Sequence, residues 1–464
     1  MLLPEAHARD AFQNMYGGVD QLVEKWADYL VPVQEVAQEE GRVVDDITLM
    51  STAICLENTE HHLNRMDEAT LAVNVGSFIH HGFDLITAVM PSLIANEIVS
   101  VQPQSRRVGE IFYLEFLYGS DKGNISKGDT MFGWKTAGNA DIWYSADFVN
   151  QEPLGVGAGT TSVSGTLAKI PAIAGTVAIA DALGQETFSD DGAGLLTGSA
   201  GGTGTVNYAT GAVALTYNAS LAAATVVTAS YRTDFEQNPE NIPEVNLQIN
   251  SLITEALPRK LRCRYSLDAA FDISSAFGRS VGSDLDVALA SEIRSEIDGE
   301  LLNAILVGAT AGTKTWSSIA PAGVSYSEHK WTFLDDLIKV TNYIFQKTRR
   351  AVGNFIVAGV GVCNVIESLA PRFKREGKVL PGPHYIGTLD GMRVYKNPFF
   401  PDDTSIVGYK GDMFMESGLV YAPYMPVFTT KAIMLDDFIS RKGLATLYSK
   451  KMVNSDFYAI LKVA

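Results

Sequence analysis

Over residues 283–308 apolar side chains return every fourth position: Leu285, Leu289, Ile293, Ile297, Leu301 and Ile305, with Ala288 and Leu302 filling in. That is one apolar face of an α-helix. Ser283 is placed to cap it, Asp284 and Asp286 put negative charge where the helix dipole favours it, and Gly308 is a stop. At 1.5 Å per residue such a helix is roughly 35 Å long. The stretch just before it alternates instead. Leu261, Cys263, Tyr265 and Leu267 point one way and Arg262, Arg264, Ser266 and Asp268 the other, the mark of a half-buried strand. A long helix beside such a strand is a spine for the rest of the chain.

The N-terminal 50 residues carry Phe12, Tyr16, Val19, Leu22, Trp26 and Leu30 at three- and four-residue steps, which predicts amphipathic helix, broken at Gly17-Gly18. Two uses fit: an arm laid on a neighbour, or a helix packed on its own domain. Residues 51–90 are polar and mixed. Residues 91–118 predict a short helix, a turn at Gln102-Pro103 and an apolar strand from Ile111 to Tyr118; residues 119–150 predict a long loop or hairpin.

Composition shifts sharply over residues 151–234, where charge is scarce and Gly, Ala, Thr and Val dominate. Two alternating runs meet at Ala209-Thr210-Gly211 as a hairpin, and Thr225 to Tyr231 is a further strand. This predicts a small β-domain inserted in a loop, a position that tolerates insertion because lengthening a loop adds little entropy cost. A strand follows at residues 245–256, then the basic strand, a short helix at 269–277 and the spine helix. Beyond them lie a helix at 332–346, a buried strand at 354–362, a helix at 363–370, strands and turns from Gly387, and a last pair of strands near 444–453 and 456–464. Helices and strands mix without a βαβ repeat, so the class is α+β.

With 464 residues, 46% hydrophobic and 19% charged, the chain is globular and can bury a large core. No apolar run approaches the length of a bilayer span, and the N-terminus lacks the basic start and apolar core of a secretion signal. A net charge of −17 argues against a broad basic face for nucleic acid. Cys55, Cys263 and Cys363 are far apart and odd in number, with no metal-ligand spacing, which fits a reducing site of synthesis.

Candidate chemistry is sparse. Gly278-Arg279-Ser280-Val281-Gly282 matches the nucleophile elbow GxSxG, but what precedes it reads as helix rather than buried strand. Its ordinary reading is a flexible turn between helices; a serine hydrolase would need His329 or His384 beside Ser280. Glu292, Glu296 and Glu300 form an i, i+4 stripe on the spine helix. It is either a solvated face or the partner of the basic cluster Arg259, Lys260, Arg262 and Arg264, of its own or a neighbouring chain. The adjacent pairs His61-His62 and His80-His81 point apart and are not a shared metal site. The Gly-rich 155–159 lacks the Lys-Ser/Thr and helix of a P-loop, and Val360-Gly361-Val362 lacks the full GxGxxG. No catalytic residue, cofactor site or metal site is assigned.

Three blocks together resemble the major capsid proteins of T-even-like tailed phages (myoviruses): residues 91–103; the basic strand, short helix and acidic long helix of 259–306; and residues 382–411 followed by 418–430. Their order matches as well, and the resemblance covers most of residues 85–464 outside the insert. It implies the Hong Kong 97-type capsid fold. Residues 1–90 would be an N-terminal arm, 91–150 with 235–258 the extended loop region, and 151–234 an inserted β-domain on the outer surface. Residues 259–324 would form a peripheral domain with the spine helix, 325–430 an axial domain, and 431–464 strands returning to the peripheral domain. Relatives lose an N-terminal propeptide to a protease that cuts after Glu, and Leu3-Pro4-Glu5-Ala6 has that local shape.

The function implied is a virion structural protein without catalysis. It would self-assemble into hexameric capsomers of an icosahedral shell around double-stranded DNA that it does not bind specifically. Its partners would be other copies of itself and vertex, portal, scaffold and cementing proteins, with no membrane. A glycan- or host-binding module displayed on the shell is the alternative for the insert, a serine hydrolase using Ser280 the alternative for the chain, and a shorter bacterial shell packing a cargo enzyme shares the fold.

Overall fold

The protein was analysed as a computed structural model. It describes residues 5–39, 44–68, 83, 86–87, 89–123, 125–129, 131, 143–278, 281–349, 352–376, 382–411, 415–416, 418–430, 433–434 and 439–464. The chain divides into two units: residues 1–113 with 250–464, and residues 114–249.

In the first unit the alternating strand runs Leu257–Ser266 and pairs antiparallel along its whole length with Ile439–Met452. Leu261, Cys263 and Tyr265 are half-buried and Lys260, Arg262 and Arg264 exposed, so the alternation holds. Leu267 already belongs to the next element, helix Leu267–Phe277, which Ser266 caps by accepting a hydrogen bond from Ala269 N (3.2 Å) and Gly278 ends in the left-handed region at φ 66°. The spine helix follows at Val281–Gly308. It begins two residues before Ser283, which therefore lies inside the first turn and is not the cap expected of it. Ile293, Ile297, Leu301, Leu302 and Ile305 are buried as the period predicts. Ala290, not the exposed Ala288, completes the face.

The edge strand Leu257–Ser266 belongs to a sheet that continues through Ile439–Met452 and Leu419–Thr429 to the parallel Ser100–Val101, with Ile433–Met434 also on Ile439–Met452. A second sheet is ordered Thr313–Trp316, Tyr458–Val463, Thr404–Gly408, Phe355–Ala358, Met392–Lys396, His384–Leu389 and Phe373–Arg375. The last two long strands of the chain thus lie in different sheets and do not pair with each other. Helix Thr332–Thr348 packs Phe333, Leu337, Val340 and Ile344 into the same core as the spine helix.

The N-terminal helices Glu5–Tyr16, Val19–Lys25 and Ala27–Glu39 pack on their own unit: Phe12 and Val19 against Met50 and Ile54, and Trp26, Leu30 and Val33 into the main core. Between them and strand Leu419–Thr429 lies a helix the sequence did not announce, Asp46–Glu68. It is buried continuously from Thr48 to Leu56, so no single apolar stripe marks it.

In the second unit an eight-stranded antiparallel sheet is ordered Phe148–Val156, Val226–Arg232, Ala178–Asp181, Thr187–Asp190, Leu195–Gly198, Thr203–Val206, Ala212–Thr216 and Ser162–Thr166. Its own core holds Val149, Phe188, Leu196, Leu215, Val227 and Tyr231. The hairpin expected at Ala209-Thr210-Gly211 joins Thr203–Val206 to Ala212–Thr216. Two edge strands approach closely: a Cβ on Gly165 would stand 2.1 Å from Leu154 O.

Candidate assembly surfaces

The face of the long sheet turned to the spine helix is tied to it by charge. Asp286, in the first turns of the helix, is 1% exposed and pairs with Lys442 of strand Ile439–Met452. About two turns before the helix's end, Glu300 takes Arg259 from the edge strand, the Tyr448 hydroxyl, and Lys450 Nζ at 2.7 Å. Burial works to raise the Glu300 carboxyl, but hydrogen bonds from Lys450 and Tyr448 and the charges of Lys450 and Arg259 outweigh it and hold it below its ordinary value. The third member of the acidic stripe therefore meets the basic cluster within one chain, through Arg259. Glu292 and Glu296 remain exposed. Lys442, Tyr448 and Lys450 were not read as charge partners from the sequence, because nothing in their spacing says which strand lies under the helix.

The opposite face of the edge strand carries Lys260, Arg262 and Arg264, all exposed. In register they stand opposite Ala445, Gly443 and Arg441.

Strands Val108–Tyr118 and Val245–Glu255 form a two-stranded ribbon, and the division between the two units falls inside both of them. In the first unit its base is fixed by the Gln102 side chain, which accepts from Phe112 N (2.9 Å) and donates to Phe112 O (2.8 Å) as a strand would. Arg107 pairs with Glu255 at 3.0 Å, and Ile111 and Leu252 pack on Val420 and Ala422. On strand Val245–Glu255 every apolar position but Leu252 is uncovered: Val245 is 51% exposed, Leu247 60%, Ile249 59% and Ile253 74%. The strand in this stretch was visible in the sequence. Which face was covered was not, and here the polar set Asn250 and Thr254 is the more buried.

The chemistry candidates do not converge. Ser280 and Arg279 lie outside the described residues, as do His80 and His81. His329 stacks on Trp316 with ring centroids 5.2 Å apart and bonds Ser317 O at 2.7 Å; His384 bonds Gly382 O at 3.0 Å. His61 sits 3.4 Å from Glu57, whereas His62 packs edge-on against Phe428. The Gly-rich 155–159 stretch is packed from inside: a Cβ on Gly157 would stand 2.5 Å from Ala222 O. A Cβ on Gly361 would stand 2.6 Å from Asp402 O, and Val362 N donates to that oxygen at 3.0 Å, so the start of helix Val360–Glu367 is covered by its own chain. Among the described residues no group of three or more His, Cys, Asp or Glu side chains is arranged to hold a metal. No helix among them is long and apolar enough to cross a membrane.

The major capsid protein of Vibrio phage KVP40 is 24% identical over 398 residues, covering 78% of this chain and 74% of that protein. That of Enterobacteria phage T6 is 26% identical over 392 residues, covering 78% and 76%. Among solved structures, the holo-SrpI encapsulin complex from Synechococcus elongatus PCC 7942 matches with a TM-score of 0.34 at 13% identity over 47% of this chain and 77% of that chain. The mature capsid of bacteriophage PhiM1 matches with a TM-score of 0.33 at 10% identity, over 47% and 74%. Likeness at that level decides nothing by itself. The family described as "Major capsid protein Gp23" matches residues 75–463. The chain accordingly belongs to the Gp23 family of major capsid proteins, mixes helices and strands as its α+β pattern predicts, and is a structural component of the tailed-phage head shell and so of the virion.

Proposed function

We propose that the chain builds an icosahedral head shell by self-assembly into hexameric capsomers, with no catalytic step. The observation that supports this most is the uncovered apolar row Val245, Leu247 and Ile249. A long apolar strand face left in water is an aggregation hazard unless a partner covers it. Fully burying each such side chain on a neighbour is worth about 1.5–3 kcal/mol. In this reading 91–150 and 235–258 form the extended loop that reaches a neighbouring subunit, 151–234 projects outward, and 259–324 and 325–430 are peripheral and axial domains. Vertex, portal, scaffold and cementing proteins complete the shell. Double-stranded DNA fills it without specific binding, in keeping with a net charge of −17.

The test is the double variant Leu247→Asp/Ile249→Asp. The purified variant should unfold at the same temperature as wild type, because both side chains are exposed, and form no shells or hexamers by electron microscopy. Normal assembly by this variant would remove the ribbon from the account. No observation favours a glycan-binding insert: of the aromatic residues in 151–234, Phe188, Tyr217 and Tyr231 are buried and Tyr208 half-buried, which leaves no exposed ring for a sugar to stack on.

A further inference from the structure

The edge strand Leu257–Ser266 has two charged faces treated in opposite ways. On the inner face Arg259 is neutralised by Glu300. On the outer face Lys260, Arg262 and Arg264 stand at alternate positions, all exposed, and none forms an ion pair with a described residue. Arg264 is also directly opposite Arg441 across the ladder. The chain has 53 acidic residues against 36 basic ones, so an all-basic face runs against its average and calls for a counter-charge from outside.

The spine helix holds the complementary pair. Glu292 and Glu296 are exposed one turn apart and form no hydrogen bond or ion pair with a described residue, while Glu300, the next in the stripe, is already engaged. One helical step of four residues rises about 6 Å, and one strand step of two residues about 6.7 Å. Two glutamates on a helix therefore match two arginines on a strand almost pitch for pitch. Opposite Arg262 and Lys260 the next strand presents only Gly443 and Ala445, a low floor on which a helix can lie. Within one chain the meeting is blocked. The helix occupies the inner face through Asp286–Lys442 and Glu300–Arg259, and the basic stripe is on the outer one.

We propose that a second copy of this chain docks Glu292 and Glu296 of its spine helix onto the Lys260, Arg262 and Arg264 face of its neighbour. The inference rests on the self-assembly reading and adds a specific contact to it. The contact is head-to-tail, since the two patches differ, and such contacts propagate into rings or extended arrays. Charge at its core gives it register and a marked salt dependence.

The test uses the full chain in sedimentation velocity across a NaCl series, with three variants at exposed positions: Arg262→Glu/Arg264→Glu, Glu292→Arg/Glu296→Arg, and the two combined. Each double reversal should weaken association about tenfold or more, the order measured for close interfacial charge pairs. The combined swap should restore it, and wild-type association should fall as salt rises. The contact is overturned if wild type assembles and either double reversal assembles equally well, or if the combined swap stays as defective as its parents. It is also overturned if Arg262→Glu/Arg264→Glu abolishes binding of a short DNA duplex while leaving association intact, which would make the basic face a polyanion site. Wild type that associates at no salt, together with no particle in material from the source, would sink the self-assembly reading along with it.

Discussion

Asp286 and Lys442 form an ion pair with almost no solvent on either side, at 1% and 10% side-chain exposure. It joins the first turns of the spine helix to the first half of the long strand, and with the Glu300 cluster it holds helix and sheet in register. Removing Asp286 leaves the Lys442 charge buried without its carboxylate, at a cost of about 3–5 kcal/mol. Asp286→Ala should lower stability by that amount in urea unfolding, and Asp286→Leu/Lys442→Met should recover most of it. A loss under about 1 kcal/mol for the single change would mean the site is wet.

Glu300 makes stability depend on acidity. Its folded carboxyl sits below the ordinary value of 4.5, so its contribution is complete above 4.5 and is lost as pH falls through the lower folded value. Wild type should therefore lose unfolding temperature on acidification below about pH 4.5 more steeply than Glu300→Gln. Parallel curves for the two proteins would contradict the assignment.

The three thiols should separate by reactivity. Cys55 and Cys363 are buried, and burial pushes the Cys363 thiol up to about 12 and Cys55 further in the same direction. Cys263 is half-buried on the edge strand. Titration of the folded chain with a thiol reagent near pH 8 should show one fast-reacting cysteine, and all three only after unfolding. Fast reaction at Cys363 would indicate that helix Val360–Glu367 opens.

Gly165 is where the insert's two edge strands come closest, with no space for a Cβ against Leu154 O. Gly165→Ala should destabilise the insert by about 1–3 kcal/mol, as overpacking does. Differential scanning calorimetry of the full chain would read this as a shift of one transition; an unchanged profile would mean the strands can part freely.

What the sequence disclosed follows from contrast between faces. The spine helix and the strand Leu257–Ser266 each bury one side, so their periods were plain. Helix Asp46–Glu68 is enclosed, and Ser51, Thr52, Ala53 and Cys55 on it are small or polar, so no period emerged. Within the insert, strand Leu195–Gly198 buries Leu196 and Gly198 and leaves Leu195 exposed, so its apolar residues do not alternate and nothing marks it. The Ser283 cap failed because the helix extends back to Val281. The strand at 245–256 was legible, but only the fold reveals that Val245, Leu247 and Ile249 on it are uncovered.

The central claim is that copies of this chain cover one another's uncovered faces to close a shell. Electron microscopy of the purified wild-type chain, expressed alone and also recovered from the particles it comes from, tests it most directly. The account predicts closed shells, tubes or sheets built of hexamers. A monodisperse monomer from expression together with no particle in material from the source would contradict it.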